Sequence, residues 1–143
     1  MVQNNRKKIK AVIPFSLKKG DDLLNGILEI CQKNKVKSAV ILAIGALQKV
    51  KFSYYDQKKK CYLDKAIGEP VEIVSCFGNL SKKEKNLFLH LHIAVAKRNG
   101  TVFGGHLKEG SIVFALEGLI FELEGESIER EYDKETGLFL LKI

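Results

Sequence analysis

A chain of 143 residues, 45% hydrophobic and 29% charged, has the length of a single domain and can bury roughly two thirds of its unfolded surface; that composition excludes a disordered chain. Its net charge of +7 permits contact with phosphates without requiring it. The basic runs at Arg6–Lys10, at Lys58–Lys60 and at Lys82, Lys83 and Lys85 fall in a terminal tail or in expected turns, where a solvated surface is the ordinary explanation.

No apolar run reaches the ~18 residues needed to cross a bilayer. The basic start also lacks the apolar core of a signal peptide, so no membrane partner is expected and the expected location is cytoplasmic. Cys31, Cys61 and Cys76 form no CxxC pair and read as buried, reduced thiols rather than zinc ligands or a redox couple. No GxSxG, GxxxxGK[ST] or GxGxxG motif is present.

In chain order, residues 1–8 read as a flexible basic tail and 9–143 as one domain. Ile9–Phe15 is expected as a strand. Asp21 and Asp22 can cap a helix that carries Leu23, Leu24, Ile27, Leu28 and Cys31 on one face and stops near Asn34. Ala39–Ile44 is a continuous apolar run ending at Gly45, the pattern of a strand covered on both faces. Val50, Phe52 and Tyr54 alternate with Lys49, Lys51 and Ser53 as in a half-exposed antiparallel strand, with its turn at Lys58–Lys60. Val71, Ile73, Ser75 and Phe77 form another strand, ending at Gly78 and Asn79, with a polar loop over Ser81–Lys85. Two long strands follow, at Asn86–Lys97 and about Ser111–Glu124, with a shorter return, Thr101–Leu107, between them. The end reads as a hairpin, Ser127–Tyr132 and Leu138–Ile143, around an Asp133–Gly137 turn. The expected fold is therefore α+β, a mostly antiparallel β-sheet packed with one or two α-helices, and a fully closed barrel is not favoured.

The three histidines of the chain all fall between residues 90 and 106. Along Asn86–Lys97, Leu87, Leu89, Leu91, Ile93 and Val95 point one way, while Phe88, His90, His92, Ala94 and Ala96 point the other. The Cβ atoms of His90 and His92 then lie about 7 Å apart, close enough for two imidazoles to chelate one ion. Arg98-Asn99-Gly100 signals a hairpin, and its register decides where His106 lands. A three-residue loop with a left-handed Gly100 faces Lys97 with Thr101 and sets His106 opposite His92. A two-residue Asn99-Gly100 turn sets it opposite Ile93, on the wrong face. A bulge at Gly104 or Gly105 repairs that by moving it opposite Ala94. The diglycine also lets the backbone bend, or another chain approach closely.

A lone histidine is more often a surface or satisfied core residue than a ligand, and His-x-His alone is common. Convergence of all three is what points to a metal site. Three neutral imidazoles suit zinc and leave a fourth position for water or a carboxylate, and nickel, copper or iron also fit. Glu117 is the nearest carboxylate on the following strand. It is a candidate fourth ligand, partner to a ligand or general base, so a metal-dependent enzyme acting on a small molecule is the alternative reading.

His90-Leu91-His92, followed by Gly100 and by Gly104-Gly105-His106-Leu107, resembles the signature of the PPC domain, the plant and prokaryote domain that stands alone in bacteria and archaea. The resemblance extends upstream to Ala43-Ile44-Gly45-Ala46-Leu47, Glu72-Ile73 and Gly78, and downstream to Leu116-Glu117. It implies an α+β fold with a largely antiparallel sheet, assembly as a homotrimer, and in some prokaryotic members a metal held at the positions of His90, His92 and His106. Prokaryotic relatives are commonly labelled DNA-binding, which implies DNA or a DNA-binding protein as partner and a regulatory role. The plant proteins carry an Arg-Gly-Arg core for the minor groove, and this chain has none. Phe114, Leu119 and Phe121, expected near the histidine strand, offer apolar surface for burial between subunits.

Overall fold

The structure is a computed structural model that describes residues 4–143. Among the described residues, nine strands, β1 (Ile9–Leu17), β2 (Ala39–Asp56), β3 (Cys61–Ile67), β4 (Val71–Lys83), β5 (Asn86–Ala96), β6 (Val102–Leu107), β7 (Ile112–Leu123), β8 (Glu129–Asp133) and β9 (Leu138–Lys142), join in one sheet with a single helix, α1 (Leu23–Lys33). All pairings are antiparallel except β4 with β8. Of the basic segment expected at 1–8, residues 1–3 lie outside those described. Lys8 holds Glu124 through its carbonyl, which accepts from the Glu124 N–H at 2.9 Å.

Local chemistry starts α1 where expected. Asp22 caps it, its Oδ1 accepting from the Asn25 N–H at 3.0 Å, while its Oδ2 accepts from the Gly110 N–H at 2.6 Å and ties the helix to the β6–β7 loop. Leu23, Ile27 and Cys31 are buried in the same core cluster as the inward side chains of the strands. Asn34 closes the helix.

The longest strand departs most from expectation. Gly45 does not end the Ala39–Ile44 run. At φ +141° it carries a register shift that bends β2, and the strand continues to Asp56. A side chain there would collide with the Ala115 carbonyl, so only glycine permits this bend. Because β2 bends, it pairs with β4 along Ala39–Leu47 and with β6 at Phe52 and Ser53, while β4–β5 and β5–β6 are also neighbours. These pairings form a closed hydrogen-bonded circuit of four strands, so the sheet is more barrel-like than its sequence suggests.

Inside the circuit lie Ile41, Leu47, Val50, Leu91, Val95 and Leu107, all nearly inaccessible. Outside it the Ala39–Ile44 run is not covered: Val40, Leu42 and Ile44 are 41%, 44% and 54% exposed. Other expectations also change. β4 runs past Gly78 to Lys83, leaving only a Glu84-Lys85 turn of the expected loop, and Cys61–Ile67 is an additional strand on β2. Cys61 is exposed, whereas Cys31 and Cys76 are buried.

β6 completes the circuit as a narrow bridge, and Gly104-Gly105 is the reason it fits. A side chain on Gly104 would strike the Ile93 carbonyl of β5, and one on Gly105 would meet the Ser53 carbonyl of β2 at 2.5 Å. The close approach foreseen for the diglycine is thus made by neighbouring strands of the same chain. Gly104→Ala should destabilise the fold by roughly 1–3 kcal/mol, the usual cost of overpacking. Equilibrium denaturant unfolding measures it, and an unchanged midpoint would contradict the close approach.

Candidate metal centre

The β5–β6 hairpin takes the three-residue loop. The Lys97 N–H donates to the Thr101 carbonyl at 2.9 Å, Gly100 has φ +82°, and His92 is paired directly with His106. Leu89, Leu91, Ile93 and Val95 face the core and His90 and His92 face outward, as the alternation requires. The ring centroids are 4.9 Å apart for His90–His106, 5.1 Å for His90–His92 and 5.8 Å for His92–His106. One nitrogen from each ring lies within 4.8 Å of the others. His92 is exposed, and His90 and His106 are half-buried.

Glu117 is not brought to this cluster within the chain. It pairs with Ile44 of β2, whereas His106 pairs with Ser53, nine positions further along the same strand and beyond its bend, roughly 30 Å measured along the chain of the strand. Phe114, Leu119 and Phe121 share β7 with Glu117, and β7 neighbours β1 and β2 rather than the histidine strand.

Residues that sequence reasoning passed over complete the surroundings. The β8–β9 hairpin packs across the outer face, and Arg130 anchors it. Its guanidinium donates to Ser81 Oγ, to the Phe139 carbonyl and to Asn79 Oδ1, each at 2.8 Å, and its Nη2 stands 3.4 Å from His90 Nδ1. Tyr62 of β3 lies against His106 with ring centroids 5.0 Å apart. Ser53 Oγ and His106 Nδ1 are both buried without a hydrogen-bond partner among the described residues.

Burial pushes the His90 imidazole down to about 4, helped by His106, Arg130 and His92. His106 is also held at about 4, first by burial and then by His92, Lys108 and Arg130. Both rings are therefore neutral at pH 7, which is the form that ligates metal. The donor set fits an ion on this chemistry, and the orphaned Nδ1 of His106 is the atom that most lacks a partner.

The model of the Plants and Prokaryotes Conserved domain (PCC, also abbreviated PPC) matches residues 5–124. The chain belongs to this family. It is 38% identical to the metal-containing protein AF0104 of Archaeoglobus fulgidus, with a TM-score of 0.93 and coverage of 99% of this chain and 100% of that one. It is 26% identical to a candidate DNA-binding protein of Bacteroides thetaiotaomicron, with a TM-score of 0.86 and coverage of 96% and 98%. It is also 28% identical over 137 residues, 92% of its length, to the bifunctional protein GlmU of Synechococcus sp. (strain JA-3-3Ab), of which it spans only 20%. The PPC match stops before β8, so the hairpin carrying Arg130 lies beyond the part that defines the family.

The depressed histidines predict a pH dependence. In the unfolded chain both titrate near the ordinary 6.5, and in the folded chain near 4. Between those values the unfolded state binds more protons, so metal-free protein should lose stability as pH falls from about 6.5 to about 4 and gain none above that window. Thermal unfolding across this range in chelator tests it, and a flat profile would rule out neutral, desolvated rings.

Proposed function

We propose that this PPC protein is a cytoplasmic homotrimer that binds a divalent transition metal, zinc by preference of its donors, and acts with DNA directly or through a DNA-binding partner. The observation that carries the metal reading is the convergence of His90, His92 and His106 with an orphaned, buried nitrogen on His106. The 38% identity to a protein named as metal-containing supports it. Bound there, a metal would supply Lewis acidity or a structural cross-link. A guanidinium can only donate, so the Arg130 contact needs His90 Nδ1 unprotonated. An ion on Nδ1 replaces that contact, and an ion on Nε2 puts a proton on Nδ1 and breaks it. At 3.4 Å the contact is weak, and Arg130 keeps its other three partners. Because changes to groups around a metal's ligands already cost 10–100-fold, His90→Ala, His92→Ala and His106→Ala should each weaken zinc affinity by at least about a hundredfold. Competition with a chromogenic chelator measures this, and three unaltered affinities would end the metal reading.

Assembly is supported by the outer face. Directly paired residues share a face, and the pairs Pro14–Leu119, Leu119–Leu42, Leu42–Phe77, Phe77–His92 and His92–His106 run across the sheet in one row. Its apolar members are exposed, Phe77 by 56%, and an apolar patch of this kind on a small domain marks a surface for burial against other chains. Three copies is what the family resemblance implies. Light scattering should give three chain masses for the protein and fewer for Leu42→Lys, and a monomer at micromolar concentration would refute assembly. The net charge of +7 and a relative named as a DNA-binding candidate support the DNA role, and among the described residues no helix is long and apolar enough to cross a membrane. Electrophoretic shifts should weaken steeply as salt rises, and no shift at low salt would remove direct DNA binding.

A further inference from the structure

Next to the histidines, the β8–β9 hairpin roofs a cavity of about 390 Å³, within the roughly 300–1,000 Å³ of small-molecule sites. Its wall is aromatic and aliphatic, from Tyr62, Phe88, Phe139, Leu138 and Leu140, and its polar groups are Lys83, Arg130 and the two half-buried histidines. Among the described residues lining it, none is acidic. Lys83 Nζ stands 4.0 Å from the Phe139 ring centroid and 5.4 Å from that of Phe88, with no carboxylate partner among the described residues. Arg130 directs four N–H groups to Ser81, Phe139, Asn79 and His90, which leaves one of its five donors uncommitted.

We propose that this cavity binds a small organic monocarboxylate with a planar, apolar body, the carboxylate lying between Lys83 and Arg130 and the body against Phe88, Phe139 and Tyr62. Two half-buried cations beside aromatic faces, with no ion-pair partner among the described residues, favour an anion. The lining sets its kind. The single guanidinium N–H and the ammonium stand on one side of a wall that is otherwise aromatic and aliphatic, so a carboxylate can place both oxygens on donors, whereas the further oxygens of a phosphate dianion would face that apolar wall. The cations belong to the chain itself, so this inference goes beyond the metal reading and does not rest on it.

Calorimetric titration of benzoate, acetate and inorganic phosphate into chelator-treated and zinc-loaded protein tests it. Benzoate should bind in both states, with acetate and phosphate weaker by about tenfold or more. Lys83→Met should weaken benzoate by about tenfold, the scale of one charge-assisted hydrogen bond. Leu138→Trp, which fills the cavity, should abolish binding, and Lys82→Met on the neighbouring position should leave it unchanged. No benzoate binding in either state overturns the inference, as does phosphate binding better than benzoate or equal binding by wild type, Lys83→Met and Leu138→Trp. Benzoate that binds only with zinc and ignores Lys83→Met also overturns it while leaving the metal centre standing.

Discussion

The register of the β5–β6 hairpin is the constraint on which the site depends. A slip of one residue would reverse every side chain of β6, sending His106 into the core and Leu107 out of it. Leu107 is 1% exposed and lies in the same buried cluster as Leu91, Ile93 and Val95, so the slip would both expose apolar surface and bury an imidazole without partners, each costing on the order of 1–3 kcal/mol. The apolar half of the strand pair thereby fixes the polar half. His92 meets His106 because Leu107 must point inward and Gly100 can take the left-handed turn.

Closure of the sheet determines what surrounds the histidines. β2 reaches β6 only because it bends at Gly45, and β6 fits between β5 and β2 only where Gly104 and Gly105 present no side chains. The inside of the circuit then takes the aliphatic residues, and the histidines are left outside, between two unlike neighbours. On one side runs the exposed row of Phe77, Leu42 and Leu119; on the other stands the hairpin with Arg130 and Phe139. One cluster therefore borders both an apolar surface suited to another chain and a cationic cavity suited to a small anion.

Much of this was legible in the sequence, and the gaps have physical causes. The helix, its Asp22 cap, the faces of β5 and the terminal hairpin followed from local pattern, because capping and alternation are local effects. β3 was not legible. Its residues from Cys61 to Ala66 are all exposed, so an edge strand held by backbone pairing to β2 carries no hydrophobic alternation to read. Gly78 reads as a strand end, yet it sits within β4 where the His90 carbonyl leaves no room for a side chain. Ala39–Ile44 reads as covered on both faces because every side chain in it is apolar, but only Ala39, Ile41 and Ala43 are buried, and Val40, Leu42 and Ile44 are exposed. Arg130 stands between Glu129 and Glu131 and resembles a solvated charge run; its partners Asn79 and Ser81 are about fifty residues away in sequence, beyond any local signal. Glu117 follows His106 closely in the chain, but the turn into β7 carries it along the far half of β2.

Charge links the two proposed ligands. Burial first, and then the neighbouring histidines and cations, keep His90 and His106 neutral, so the cluster offers three nitrogen donors and no negative charge. Arg130 and Lys108 act on these rings as fixed cations. A divalent ion held by the histidines would add to that positive charge, with no carboxylate in the cluster to offset it. In a partly desolvated site such an excess is costly, and a bound anion relieves it. The cavity that reaches His90 and His106 is the space through which one can arrive. Metal and carboxylate should therefore strengthen each other's binding, and because linkage is reciprocal, any factor by which benzoate tightens zinc must equal the factor by which zinc tightens benzoate.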